Sequence, residues 1–206
     1  MSAGRPLAAG IIPQHVVLRD VLSEPVIAGL LDHARLHESQ FVPATLSGRT
    51  VNPALRVSAV LHDLGDFAAP LEQAFRERMA SLIVSLGMEP IVNPRITTEL
   101  VAHGDGAFYG RHIDTDISRY RQRSHVRALS AVYYFNAEPK RFTGGELRLH
   151  AIGGEGFIDI PPERNTVLAF PSWAPHEVRP VACPGRRFED SRFAINCWFV
   201  IERDGG

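Results

Sequence analysis

Pro94 divides the chain by hydrophobic period, and this change restricts the possible folds more than any other feature. Before it lie two segments with apolar residues at helical spacing. Ser23 is placed as the N-cap of a helix reaching about residue 39, with Val26, Leu30, Leu31 and Ala34 as its apolar stripe. A second helix is expected from near Asp66, where Leu71, Phe75, Met79, Leu82 and Leu86 share a face and Gly87 can close the last turn. Residues 15–22, HVVLRDVL, read as an opening strand. After Pro94 the chain becomes a series of short strands separated by Gly, Pro and Asp-rich turns, near 96–102, 107–112, 127–135, 145–150, 156–160, 165–170, 176–181 and 191–201. Helices followed by this run predict an α+β, mainly β fold: a barrel or double-sheet jelly roll backed by helices on one side.

The length of 206 residues suits one domain with a core that needs no disulfides. The expected organisation is a single domain over 1–206, with a helical support region at 1–95 and the β region at 96–201. Apolar residues at 45% and charged residues at 22% exclude a disordered or fibrous chain. A net charge of -1 lacks the basic footprint of a nucleic-acid binder, so no nucleic-acid partner is expected. Cys183 and Cys197 are too few for a disulfide framework and lack zinc-site spacing, which favours a reducing cytoplasm. The first ten residues read as a frayed end. Their short apolar stretch, broken by Pro13, is not a signal peptide, and no run is long enough to span a bilayer. Oligomeric state leaves no signature.

The chemistry gathers in three places. Tyr109-Gly-Arg-His112-Ile-Asp114 sets an imidazole and a carboxylate two residues apart, on one face of an extended strand. His176, in FPSWAPHEV, is far enough downstream to come from another strand. Two imidazoles and one carboxylate on one face of a metal leave the remaining positions open, as a non-haem iron(II) oxygenase requires; zinc would usually favour more nitrogen or sulfur donors. A His-x-Asp pair alone arises easily by chance among nine histidines. The third place is the last strand, Ser191-Arg-Phe-Ala-Ile-Asn-Cys-Trp-Phe, which carries an arginine in an apolar run. Buried arginines are rare unless paired, and a guanidinium fork suits a carboxylate. Period two puts Arg192, Asn196 and Trp198 on one face, with Phe193, Ile195 and Phe199 on the other.

Taken in order, Tyr109, His112 and Asp114, Val132-Tyr-Tyr-Phe-Asn136, Thr143-Gly-Gly-Glu-Leu147, His176-Glu-Val178 and Arg192-Phe-Ala-Ile-Asn-Cys-Trp198 resemble the prolyl-hydroxylase-like branch of the iron(II)- and 2-oxoglutarate-dependent oxygenases, over roughly residues 97–201. The resemblance implies a double-stranded β-helix with Fe(II) held by His112, Asp114 and His176. It further implies 2-oxoglutarate gripped by Arg192, contacted by Tyr134 and lined by Tyr109 and Leu147, with Asn196 and Trp198 close to the metal. In many relatives the carboxylate-binding residue follows the distal histidine more closely, at a spacing that here selects Arg186. Pro184-Gly185 marks an enlarged turn, so Arg192 is preferred and Arg186 is the fallback. Ordinary interior packing is an equal reading of Tyr134, Leu147 and Trp198.

The implied activity is a dioxygenase (hydroxylase) that uses Fe(II), 2-oxoglutarate and O2, with ascorbate as a stimulating reductant. It would release succinate and CO2 while hydroxylating a C–H bond of a peptidyl proline, an amino acid or a related metabolite. Asp114 argues against halogenating relatives, which lack that carboxylate. A peptide or small-molecule partner and no membrane are expected; a silent metal-binding sensor and a nucleic-acid demethylase are the alternatives. Arg119, Arg121, Arg123 and Arg127, with His125, read as a solvated loop face rather than a substrate clamp. Arg49 and Arg56 fall in the loop before the second helix. His103 and the remaining histidines are assigned no metal.

Overall fold

The computed structural model describes residues 9–46, 50–115 and 125–202. Arg49, Arg119, Arg121 and Arg123, and most of the expected frayed N-terminal end, lie outside the described residues. The opening strand β1 (Val16–Arg19) leads to helix α1 (Glu24–Leu36). Ser23 takes the N-cap position with extended backbone, yet its hydroxyl makes no capping bond; Pro25 in the first turn supplies no N–H, and the Ser23 carbonyl accepts from Val26 and Ile27 instead. The helix stops at Leu36, short of residue 39, because the His37 ring bonds back to the His33 carbonyl and a 3-10 turn follows. Helix α2 (Ala68–Ser85) ends where Gly87 adopts a φ of 61°.

Between the helices lie three short strands that the sequence had left as loop: β2 (Val42–Pro43), β3 (Arg56–Val57) and β4 (Ala59–Leu61). Runs this short offer no alternation to read. Their partners create them, Val42 opposite Val60 and Arg56 opposite Tyr109. Together with β1 they make the first 95 residues a contributor to both sheets rather than a purely helical support. The later strands are β5 (Arg95–His103), β6 (Phe108–His112), β7 (His125–Phe135), β8 (Thr143–Gly144), β9 (Leu147–His150), β10 (Phe157–Ile160), β11 (Thr166–Pro171), β12 (His176–Val178), β13 (Val181–Ala182) and β14 (Arg192–Glu202). The expected strand at 176–181 is two, since Pro180 has no N–H to give a ladder. That at 145–150 begins only at Leu147, because Gly144 and Gly145 turn the chain at φ values of 72° and 73°.

The strands form an antiparallel seven-stranded sheet, ordered β1-β11-β7-β14-β5-β4-β2, and a five-stranded sheet, ordered β10-β9-β12-β6-β3, with a small β13-β8 ladder. Both helices cover one face of the larger sheet. There Ile27, Leu30, Leu71, Phe75 and Leu82 pack against Leu100, Leu129, Tyr133, Phe193, Ile195 and Phe199. Its other face meets the smaller sheet through Val132, Tyr134, Leu147, Leu149, Leu168, Phe170 and Ala194. Strand β14 thus turns its odd apolar positions to the helices, while Arg192, Asn196 and Trp198 line a cavity of about 980 Å³ between the sheets.

Candidate metal centre and its cavity

The mouth of that cavity is organised by one cross-strand pair. His112 ends β6 and His176 begins β12, and the two are direct partners in the ladder, ring centroids 4.2 Å apart. Each ring is fixed the same way. His112 Nδ1–H donates to the Gly110 carbonyl at 2.9 Å and His176 Nδ1–H to the Ala174 carbonyl at 2.8 Å. Neutral imidazole carries one proton, so both Nε2 lone pairs are left free for a ligand.

Asp114 lies just past β6, where its own N–H and that of Thr115 bond to the Ser172 carbonyl. Its carboxylate sits 3.8 Å from His112 Nε2 and 3.9 Å from His176 Nε2. Oδ2 accepts from the Ser130 hydroxyl at 2.6 Å and from the Trp198 indole at 2.9 Å. Ser130 in turn shares a hydrogen bond with Ser172. Arg127 stacks on Trp198 at 3.8 Å, with Nη1 3.9 Å from Oδ1. The donor atoms of His112, Asp114 and His176 all lie within 4.8 Å of one another, and they form the one such cluster among the described residues.

Electrostatics prepares these groups to be ligands rather than acids. Burial, aided by the neighbouring His176, pushes His112 down to about 3, so its ring is neutral near pH 7. Burial would raise Asp114, but positive charge on His176 or His112 when either ring is protonated, and after it the Ser130 hydroxyl and Arg127, outweigh burial and hold the carboxyl below its ordinary range. A ready anion faces two free lone pairs.

Deeper in, Arg192 is 1% exposed. Its Nε donates to the Gly145 carbonyl at 2.8 Å, Nη1 lies 3.3 Å from His103 Nδ1, and the guanidinium sits 4.9 Å from the Tyr134 ring centroid. No carboxylate forms an ion pair with it among the described residues. Arg192 Nη2, Tyr134 Oη and His103 Nε2 are all buried without a hydrogen-bond partner. Burial pushes Tyr134 up to about 12, which keeps its phenol protonated. Arg186 is placed quite differently. It is 80% exposed, paired with Asp105, and does not line the cavity.

Leu147 lines the cavity, while Tyr109 stacks on His112 at 3.6 Å and under Arg56 at 4.7 Å. Asn196 donates to Glu99 at 3.1 Å, and Arg56 Nη2 lies 3.6 Å from the same carboxylate. No motif in the sequence marks Ser130, Ser172 or Glu99 as part of this site, or gives His103 a role in it, and Arg127, expected on a solvated loop face, instead lies on β7 against Trp198. A signal existed for some. Thr97, Glu99, Val101 and His103 alternate along β5 and lie opposite Trp198, Asn196, Ala194 and Arg192. Only that register shows Glu99 and His103 facing the cavity.

A family model for the 2OG-Fe(II) oxygenase superfamily matches residues 98–200. An uncharacterised PKHD-type hydroxylase from Synechocystis is 34% identical over 139 residues, 64% of this chain and 45% of its own length, so the match spans less than half of that relative. In fold the chain is similar to a Pseudomonas putida prolyl-4-hydroxylase, with TM-score 0.64, 22% identity and 92% of each chain covered. It is equally similar to a Trichoplax adhaerens prolyl hydroxylase in complex with a hypoxia-inducible-factor peptide fragment, with TM-score 0.64, 22% identity, and 90% and 82% of the chains covered.

Proposed function

This chain belongs to the 2OG-Fe(II) oxygenase superfamily, and we propose that within it the protein is a 2-oxoglutarate-dependent dioxygenase hydroxylating a peptidyl proline, an amino acid or a related metabolite. The observation that carries this reading is the pairing of a three-donor cluster with a buried, carboxylate-free arginine in one cavity. Both halves fit the family's cofactors. Two imidazoles that each present Nε2 and a carboxylate are the donor set of a facial iron(II) site with open positions. The unpartnered Arg192 Nη2 and Tyr134 Oη are what an acceptor-rich carboxylate would satisfy, because a buried cation without a counter-charge is costly. We take the two facing sheets to be a double-stranded β-helix in a single domain.

His112, Asp114 and His176 would hold the iron, and Arg192 and Tyr134 the far carboxylate of 2-oxoglutarate, with Leu147 as apolar wall. When bound, these cofactors supply oxidative decarboxylation of the oxoacid, coupled to insertion of oxygen into a C–H bond. The chain's residues position and shield. Ser130 and Trp198 hold Asp114 Oδ2, which leaves Oδ1 as the freer oxygen. The carbonyls of Gly110 and Ala174 fix the ring orientations, the kind of outer support that tunes a metal site. Asn196, Glu99, Arg56 and Arg127 line the same cavity, where substrate would lie. A peptide is favoured as substrate because the Trichoplax relative is seen with one. The two free cysteines suit a reducing compartment such as the cytoplasm, and among the described residues no helix is long and apolar enough to cross a membrane.

Succinate release from 2-oxoglutarate, measured with Fe(II), ascorbate and air against proline peptides, free amino acids and a methylated oligonucleotide, tests the proposal. Stimulation by a peptide or amino acid is the expected result. Turnover with the oligonucleotide alone would move the substrate to nucleic acid, and no oxoacid consumption under any condition would leave only a metal-binding module.

A further inference from the structure

His103 is the residue of this cavity for which the chemistry above has no use, and its surroundings are unusual. It is 4% exposed and lies directly across the ladder from Arg192. The guanidinium can only donate, so at the 3.3 Å contact His103 Nδ1 must accept. The ring is neutral, since burial first, then the Arg192 and Arg56 cations, hold its pKa well below the ordinary 6.5. A neutral imidazole that accepts at Nδ1 carries its proton on Nε2. That Nε2–H is buried and has no acceptor. His103 Nε2 from β5 and Arg192 Nη2 from β14 are thus buried N–H donors on adjacent strands with no acceptor, and Tyr134 Oη from β7 is buried beside the Arg192 guanidinium, with which it interacts. Buried donors are rarely left unpaired, so this group calls for a ligand rich in acceptors.

We propose that His103 is a co-substrate-binding residue: its Nε2–H donates to the distal carboxylate of the oxoacid, alongside Arg192 and Tyr134, and so selects dicarboxylic over monocarboxylic 2-oxo acids. The proposal rests on the reading of the cavity as an oxoacid site. A carboxylate has two oxygens with about four lone-pair directions, enough to take one donor from each of the three side chains. Neutral imidazole serves better than imidazolium here, because a second full charge beside Arg192 would repel it in a dry site. The contact between His103 Nδ1 and Arg192 Nη1 also orients the guanidinium, so the residue positions its neighbour as well as binding.

The test is calorimetric binding of 2-oxoglutarate and of pyruvate, which shares the oxoacid head but lacks the far carboxylate, to the Fe(II)-loaded protein without oxygen. His103→Leu should weaken 2-oxoglutarate by about 10- to 100-fold and leave pyruvate and Fe(II) affinity unchanged, while His103→Gln, which keeps an N–H, recovers most of the loss. Equal 2-oxoglutarate affinity in wild type and His103→Leu would overturn the proposal and leave the oxygenase reading intact. Failure of the wild type to bind 2-oxoglutarate would instead remove the reading on which it rests. Should His103→Leu not fold, the imidazole ¹⁵N signals of wild-type protein loaded with Zn(II) decide: 2-oxoglutarate should shift His103 Nε2 and pyruvate should not, and the absence of a shift with 2-oxoglutarate refutes the contact.

Discussion

At the scale of single residues, burial separates two arginines that the sequence alone could only rank. Arg192 is enclosed with an unmet N–H, whereas Arg186 is solvated, with a φ of 51°, and already paired with Asp105. Truncating one member of a buried charge-assisted pair typically costs about 2–5 kcal/mol, so Arg192→Ala should raise the 2-oxoglutarate Michaelis constant at least tens of fold with little change in iron affinity. Arg186→Ala should leave both parameters near wild type; the opposite ranking in steady-state kinetics would restore Arg186 as the carboxylate ligand. Ser130 gives a subtler case. It was invisible in the sequence as one serine in an apolar strand, yet it makes the shortest hydrogen bond to Asp114. Ser130→Ala removes a support without touching a ligand, and should weaken Fe(II) binding by roughly 10-fold or more in an anaerobic titration. Unchanged affinity would reduce Ser130 to packing.

At the scale of elements, the long and strongly periodic pieces were legible and the short ones were not. The stripe of α2 names Leu71, Phe75, Met79, Leu82 and Leu86, all buried except the partly covered Met79, and alternation along β14 divides cavity from core. In α1 the buried position is Ile27 rather than Val26, which is only partly covered; adjacent apolar residues at the rim of a stripe cannot be told apart by spacing alone. Leu30, fully buried on that helix, should cost roughly 2–5 kcal/mol as Leu30→Ala in chemical denaturation, without altering cavity ligands. Strands of two or three residues escaped because their identity lies in their partners. The Thr143-Gly-Gly turn shows sequence and site joined. A Cβ on Gly145 would meet Arg192 Cδ at 2.5 Å, and its φ of 73° disfavours any side chain. Gly145→Ala should therefore both destabilise the fold by about 1–3 kcal/mol and impair oxoacid binding, since the carbonyl that holds Arg192 Nε would move. An alanine variant with wild-type oxoacid affinity would show that the turn does not set the arginine.

At the scale of the whole molecule, no element owns the centre: β6 gives His112, the turn after it Asp114, and β12 His176, while Ser130 of β7, Ser172 just past β11 and Trp198 of β14 brace them. What the sequence could not convey was this convergence, because Glu99 and His103 face the cavity only through the β5–β14 register. Assembly has a pH signature. His103 and His112 are held neutral in the folded, metal-free protein, with pKa values below the ordinary 6.5, so the unfolded chain binds more protons as pH falls through that value. Stability of the apo protein should drop as the buffer goes from pH 7 toward 5, and less steeply in His103→Gln; parallel pH profiles from urea melts would contradict the assignment. Anaerobic titration with Fe(II) reads the three-ligand site itself. One equivalent per chain should bind the wild type, with affinity sharply reduced in both His176→Ala and Asp114→Ala. Wild-type affinity in both variants would mean that the metal, if bound at all, is held elsewhere.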